Sequence, residues 1–166
     1  MVNGYATRRE ELDALTEQVR AWQVDGINLD EIGICARTRQ IAEVAEQHLR
    51  QAGLLPADSH GAIRGPYVGT MHGMKGLEFR SVAMLDVGAT SVPLPIAVTD
   101  ESEDAVRHAH DLQRERCLLY VAATRAREAL AVSWTGQPSR LLVANAASRG
   151  RTSDPQLGSQ RRDTTP

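Results

Sequence analysis

The spacing of apolar residues in this chain switches back and forth between helical and strand-like. Leu12, Leu15, Val19 and Trp22 recur at helical intervals between Arg8 and Val24, and Gly26 supplies a stop. Ile32-Gly-Ile-Cys-Ala36 then reads as a short strand buried on both faces. Thr38 is placed to cap a second helix, whose stripe is Ile41, Val44, Ala45, His48 and Leu49 and which Gly53 ends. Residues 54–66 read as a connection with one weak strand. Tyr67–Thr70 and Ser81–Val87 are predicted strands, helical spacing returns from Ala105 to Arg127, and Ala129–Trp134 is a fourth strand. A short helix is expected after Pro138. This alternation predicts an α/β fold, a parallel sheet with helices on both faces.

With 166 residues, 42% hydrophobic and 24% charged, the chain has enough apolar material for one ordinary core. We place that domain at residues 1–147 and expect 148–166, rich in Arg, Ser, Gly, Asp and Thr, to be a disordered tail. A formal charge of −2 excludes a polycation that coats nucleic acid, so any phosphate contact must come from a local cluster. Cys35 and Cys117 lack metal-ligand spacing and sit among apolar neighbours, which predicts buried thiols in a reducing compartment. No apolar run approaches the ~20 residues of a membrane span, and no signal-peptide core is present. A cytoplasmic protein without membrane partners is expected.

In open parallel sheets, ligands bind beyond the carboxyl ends of the strands. Arg37 and the Thr70–Glu78 segment follow two predicted strands and Asp86 stands at the end of a third, so the three are expected to converge on one edge. Within that segment lies Lys75, the single lysine among 19 Lys and Arg residues. Coding bias accounts for the shortage of lysine but not for its place between Thr70, His72, Gly76 and Glu78. Such a loop suits a polar or phosphorylated ligand. No Gly-x-x-x-x-Gly-Lys-Ser/Thr phosphate loop occurs, Asp30-Glu31 precedes its strand, and no zinc spacing or nucleophile elbow is found. The chain alone offers no complete catalytic centre.

A second informative stretch runs from Leu112 to Arg127. Asp111, Arg114, Glu115 and Arg116 read as surface ion pairs of little worth. Arg125 follows a nearly uncharged run, Cys117–Thr124, that should be buried, and a guanidinium there needs an anionic partner. A carboxylate of the same domain and an external anion both satisfy that need. Tyr120 is expected to pack in the core or between domains.

Thr70-Met-His-Gly-Met-Lys-Gly-Leu-Glu-Phe79 resembles helicase motif V of the UvrD/Rep-like superfamily 1 DNA helicases. Glu115-Arg-Cys-Leu-Leu-Tyr-Val-Ala-Ala-Thr-Arg-Ala126 resembles their motif VI, and Ile32–Thr38 is similar to motif IV. The resemblance covers roughly residues 8–142 and implies the second RecA-like motor domain of a 3′-to-5′ helicase or translocase. It implies that Arg37 and Arg125 reach the γ-phosphate of ATP bound on a first motor domain, which would also hold Mg2+. A supplied arginine finger is worth ~10³–10⁵ in rate. Glu78, with Gly76 allowing close approach, would contact the ribose, and Thr70, His72 and Lys75 would face single-stranded DNA.

The chain departs from the family pattern in two places. Ala36 stands where an aromatic residue often stacks on adenine, and only residues 38–69 separate Arg37 from Thr70, as in compact relatives without a large inserted domain. The sequence begins about where the link into a second motor domain is expected. It would therefore need an N-terminal RecA-like partner, in cis or in trans, and alone should not hydrolyse ATP. The competing expectations are one half of a split helicase and a non-catalytic RecA-like module working through protein contacts.

Overall fold

The computed structural model describes residues 1–56 and 65–142. The weak strand expected in the 54–66 connection and the expected tail from 148 fall largely or wholly outside that range. The elements are β1 (Val2–Tyr5), α1 (Arg8–Val24), β2 (Ile32–Ala36), α2 (Arg39–Gln51), β3 (Tyr67–Thr70), β4 (Phe79–Leu85), α3 (Ala105–Ala123) and β5 (Ala126–Thr135). Residues 140–142 are helical, beyond Pro138. No helix among the described residues is long and apolar enough to cross a membrane.

Local chemistry sets the helix ends. Thr7 Oγ1 accepts from the Glu10 amide at 3.2 Å, and Glu10 and Glu11 favour the positive end of the α1 dipole. Asp104 Oδ1 likewise accepts from the Arg107 amide at 2.9 Å and starts α3. Thr38 stands at the N-cap of α2, although its hydroxyl makes no cap bond.

The five strands form one parallel sheet in the order β1-β5-β4-β2-β3. Alternation along β2 and β4 divides the core. Ile32, Ile34, Ala83 and Leu85 meet Leu15, Val19, Ala45 and Leu49 of α1 and α2 on one face. Cys35, Val82 and Met84 meet Leu119 and Ala122 of α3 on the other, together with Met71 and Met74. Fully burying side chains such as Val19 and Leu49 stabilises the fold by roughly 1.5–3 kcal/mol each. The expected α/β sheet with helices on both faces is the observed one.

Several details correct the expectations drawn from the sequence. β1 was not expected: it is a short, mostly exposed edge strand, and Trp134 lies so close over Gly4 that a Cβ would sit 2.6 Å from its indole nitrogen. β4 runs from Phe79 to Leu85, not from Ser81 to Val87, because Asp86 takes φ 56° and breaks the strand. α3 ends at Ala123 and not Arg127, since pairing of Phe79 with Ala126 draws the following residues into β5. Of the Cys117–Thr124 run only Leu119 and Ala122 are buried, and Cys117 is exposed, because the inward stripe of α3 is Asp111, Glu115, Leu119 and Ala122.

Candidate functional site

Residues 71–78 connect β3 to β4 by an unusually short parallel crossover. Thr70 pairs with Ala36, and Ala36 with Leu85, whereas β4 begins at Phe79. The loop must therefore descend the whole height of the sheet while passing over β2. Gly33 makes the passage possible, because a Cβ there would lie 2.5 Å from the Phe79 ring and 2.7 Å from Met74 Cε. Met71 and Met74 anchor the loop in the core. Thr70 Oγ1 accepts from the Gly73 amide at 3.2 Å and tightens the first turn. Gly76 takes φ +81°, a value that disfavours residues with a Cβ. His72, Lys75, Leu77 and Glu78 are left exposed. One loop thus begins at the carboxyl ends of the strands and finishes at their amino ends.

Arg125 stands at that second end, between α3 and β5. Its Nε donates to Val121 O at 3.1 Å and its Nη1 to Leu77 O at 3.2 Å, while its own carbonyl accepts from the Phe79 amide at 2.9 Å. It is half-buried and forms no ion pair among the described residues. Neutral carbonyls orient the guanidinium without neutralising it. Gly76, Leu77 and Glu78 border it through the Leu77 contact. Tyr120, on the last turn of α3, is 69% exposed, so it is not a core residue of this domain.

Arg37 lies elsewhere. It follows β2, and its Nε and Nη2 donate to Glu115 Oε2 and Oε1 at 2.9 and 2.7 Å. Glu115 Oε2 also accepts from the Leu94 amide at 3.1 Å. Burial pushes the Glu115 carboxyl up, but the Arg37 hydrogen bonds, the Leu94 amide and the charges of Arg37 and His72 outweigh it and hold the group below its usual range.

The meeting of Arg37 and Arg125 at one phosphate, implied by the resemblance, therefore needs correction. Arg37 and Thr70 are at the carboxyl ends of their strands, and Arg125 is at the amino end of β5. Measured along β4, which both neighbours flank, the two backbones are about 20 Å apart at ~3.3 Å per residue. The rule that ligands gather at carboxyl ends covers loops that follow strands, whereas Arg125 precedes one. Asp111 and Glu115 are also not surface residues: they are 3% and 5% exposed, because residues 94–99 fold over α3.

Asp86 belongs to a buried network that sequence reasoning missed. Arg8 bridges Glu11 and Asp86. Glu11, 1% exposed, accepts from the Asp86 amide at 2.9 Å, Ser133 Oγ at 2.6 Å and Thr135 Oγ1 at 3.0 Å. The signal was the position of Glu11, four residues before Leu15 on the inward stripe of α1.

Comparison with known proteins bears on the segment that holds the crossover loop and Arg125. The UvrD-like helicase C-terminal domain model matches residues 67–137, from the first residue of β3 to just past β5, enclosing the crossover loop, α3 and Arg125. Residues 67–137 are thus similar to a UvrD-like helicase C-terminal domain. The chain is 30% identical over 111 residues to "ATP-dependent DNA helicase UvrD2" of Mycobacterium bovis (strain ATCC BAA-935 / AF2122/97), and equally to that of Mycobacterium tuberculosis H37Rv. The match takes in 61% of this chain and 15% of each relative, so the chain corresponds to a small part of their length. The crystal structure of the C-terminal domain of a possible DNA helicase from Lactobacillus plantarum WCFS1 superposes with a TM-score of 0.61 at 20% identity, covering 85% of this chain and 76% of that one. At that identity the likeness supports the fold alone.

The domain thus presents two chemically different ends. Its amino end offers an unneutralised arginine, an exposed carboxylate and a glycine turn. Its carboxyl end offers Thr70, His72 and an arginine already closed on a carboxylate. Lys75 lies on the loop that joins them, with its amide donating to His72 O at 3.3 Å.

Proposed function

We propose that this chain acts as the second motor half of an ATP-dependent DNA helicase or translocase, with its amino-end surface turned toward a nucleotide on a partner motor domain. The observation that carries the reading is the Arg125 guanidinium, held by the Val121 and Leu77 carbonyls with no carboxylate partner among the described residues. Phosphoryl transfer is catalysed chiefly by positioning and charge neutralisation. A planar fork fixed by neutral acceptors is suited to that task, because it keeps its charge for an incoming phosphate.

The residues present fit one side of a nucleotide. Glu78, exposed beside Leu77, is placed to accept from ribose hydroxyls, and the Gly76 turn leaves backbone room, since no atom lies within 4 Å of a Cβ built there. ATP, bound with Mg2+ on the N-terminal RecA-like domain, would supply the phosphoryl group and the free energy for movement. Thr70, His72 and Lys75 face single-stranded DNA in this reading. The 71–78 loop is then the mechanical link, because its two ends lie at the two ends of the sheet. Arg125 is the phosphate-facing arginine, and Arg37 acts in holding α3 through Glu115 and not at the same phosphate.

Replacing Arg125 by Ala in a complete two-domain enzyme tests this. ATP turnover should fall by ~10³ or more with folding intact. Turnover within a few-fold of normal would reject the assignment in favour of a protein-interaction module. The isolated chain should show no hydrolysis.

A further inference from the structure

The carboxyl end of the sheet holds a cleft of about 460 Å³ between residues 96–99 and α3, with Arg37, His72, Ile96, Arg107 and Arg114 in its walls. Two buried carboxylates fix its shape. Asp111 Oδ2 accepts from the Thr99 amide and hydroxyl at 2.9 and 2.8 Å, and Glu115 ties Leu94 and Arg37 to the same helix. The walls are therefore built by the fold itself.

The charge of the cleft differs in sign from that of the chain. Arg37 is neutralised by Glu115, and Asp111 pairs with Arg114. Arg114 nevertheless remains 75% exposed along its side chain, which leaves donors of its fork directed at solvent. Arg107 is exposed and forms no ion pair among the described residues, and His72 is exposed at the inner end. The surplus is positive on a protein of net charge −2. Arg107 and Arg114 are two helical turns apart on one face of α3, about 10 Å along its axis. Forks presented along one face suit the phosphates of one strand, because guanidinium binds phosphate oxygens two at a time.

Two further features favour a single strand. Ile96, an apolar side chain at the cleft, is 91% exposed, and an unstacked base would cover it. Asp100 and Glu101 line a separate neighbouring cavity, and their charges turn a polyanion away from that side, back toward His72 and Thr70. We propose that this cleft binds the backbone of single-stranded DNA, with Arg107 and Arg114 on phosphates and Ile96 against a base. The proposal rests on the DNA-motor reading above and places the strand on residues of α3 and of the 94–99 loop.

The test is fluorescence anisotropy of a labelled oligothymidylate with the full 166-residue chain across a salt series. Arg107→Ala and Arg114→Ala should each weaken binding and reduce the log–log salt slope by about 0.7, the value of one single-strand phosphate contact. Arg9→Ala, at an exposed arginine of α1, should leave the slope unchanged. Circular dichroism identifies any variant that fails to fold, in which case Arg107→Glu replaces it. Unchanged slopes in both cleft variants, or no binding by the wild-type chain at low salt, would overturn the proposal. Loss of binding only on changing Thr70 would sink the cleft and leave the motor reading standing, since that reading is decided separately by the ATPase of the Arg125 variant.

Discussion

Arg37 closes its guanidinium on Glu115 through two parallel bonds of 2.9 and 2.7 Å, and the two side chains are only 11% and 6% exposed. Removing one member leaves the other charged and buried, which typically costs 3–5 kcal/mol. Arg37→Ala should therefore destabilise the chain by about 3 kcal/mol in urea titrations. The double variant Arg37→Met/Glu115→Leu should recover much of that loss, because no charge is stranded. A cost under about 1 kcal/mol for Arg37→Ala would mean that the pair opens in solution, and Arg37 would again be available to an external anion.

The same pair gives the acid response a definite sign. The folded Glu115 carboxyl titrates below its unfolded value, about 4.3 for a glutamate, so in that window the unfolded chain binds more protons. Its contribution is fully present above the unfolded value and is lost as pH falls through the lower folded one. Glu115→Gln should be less stable at neutral pH and should show a shallower loss of stability below about pH 5. An acid limb as steep as that of the wild type would assign the effect to other carboxylates.

The two cysteines should separate cleanly in reactivity. Burial pushes the Cys35 thiol up to about 12, and the thiolate is the reactive form, whereas Cys117 is exposed on α3. Titration with a thiol reagent near neutral pH should register one fast group in the native chain and two after denaturation. Cys117→Ser should abolish the fast phase. Rapid labelling of Cys35 in that variant would show that the core face carrying Met71 and Met74 opens readily.

Elements that pack by periodicity are legible in the order of the residues alone. The limits of α1, β2 and β3 follow directly from the spacing of Leu12, Leu15, Val19 and Trp22 and from the compact runs Ile32–Ala36 and Tyr67–Thr70. Elements defined by a partner are not. β1 pairs on the far edge of β5 with hardly any apolar signal of its own, and Ala126-Arg-Glu128 becomes strand only because Phe79 pairs there. The candidate site divides in the same way. Thr70, His72, Lys75, Gly76, Glu78 and Arg125 all fall in the segment that carries the family match. Which end of the sheet each one reaches depends on register, and a chain read one residue at a time holds no register. Asp111 and Glu115 resembled ordinary helix-surface charges because the loop that buries them contributes amide groups, which any sequence has.

Gly33→Ala tests whether the crossover is as tightly seated as its length requires. The new Cβ would meet two neighbours of different compliance. Met74 Cε, at 2.7 Å, is the far end of a flexible side chain and can move aside. The Phe79 ring, at 2.5 Å, cannot move easily: it packs on Tyr67 with centroids 5.5 Å apart, and its amide is bound to Arg125 O. Relief must therefore shift the start of β4, and with it the Leu77 and Arg125 backbone that orients the guanidinium. Overpacking of this kind costs about 1–3 kcal/mol, and Gly33→Ala should show it in urea titrations. In a complete enzyme the same variant should lose DNA stimulation of ATP turnover by more than its lower stability explains, since the strained segment joins the Thr70 end of the loop to the Arg125 end. A variant that is folded, destabilised and yet normally stimulated by DNA would show that the 71–78 loop carries no signal between the two edges.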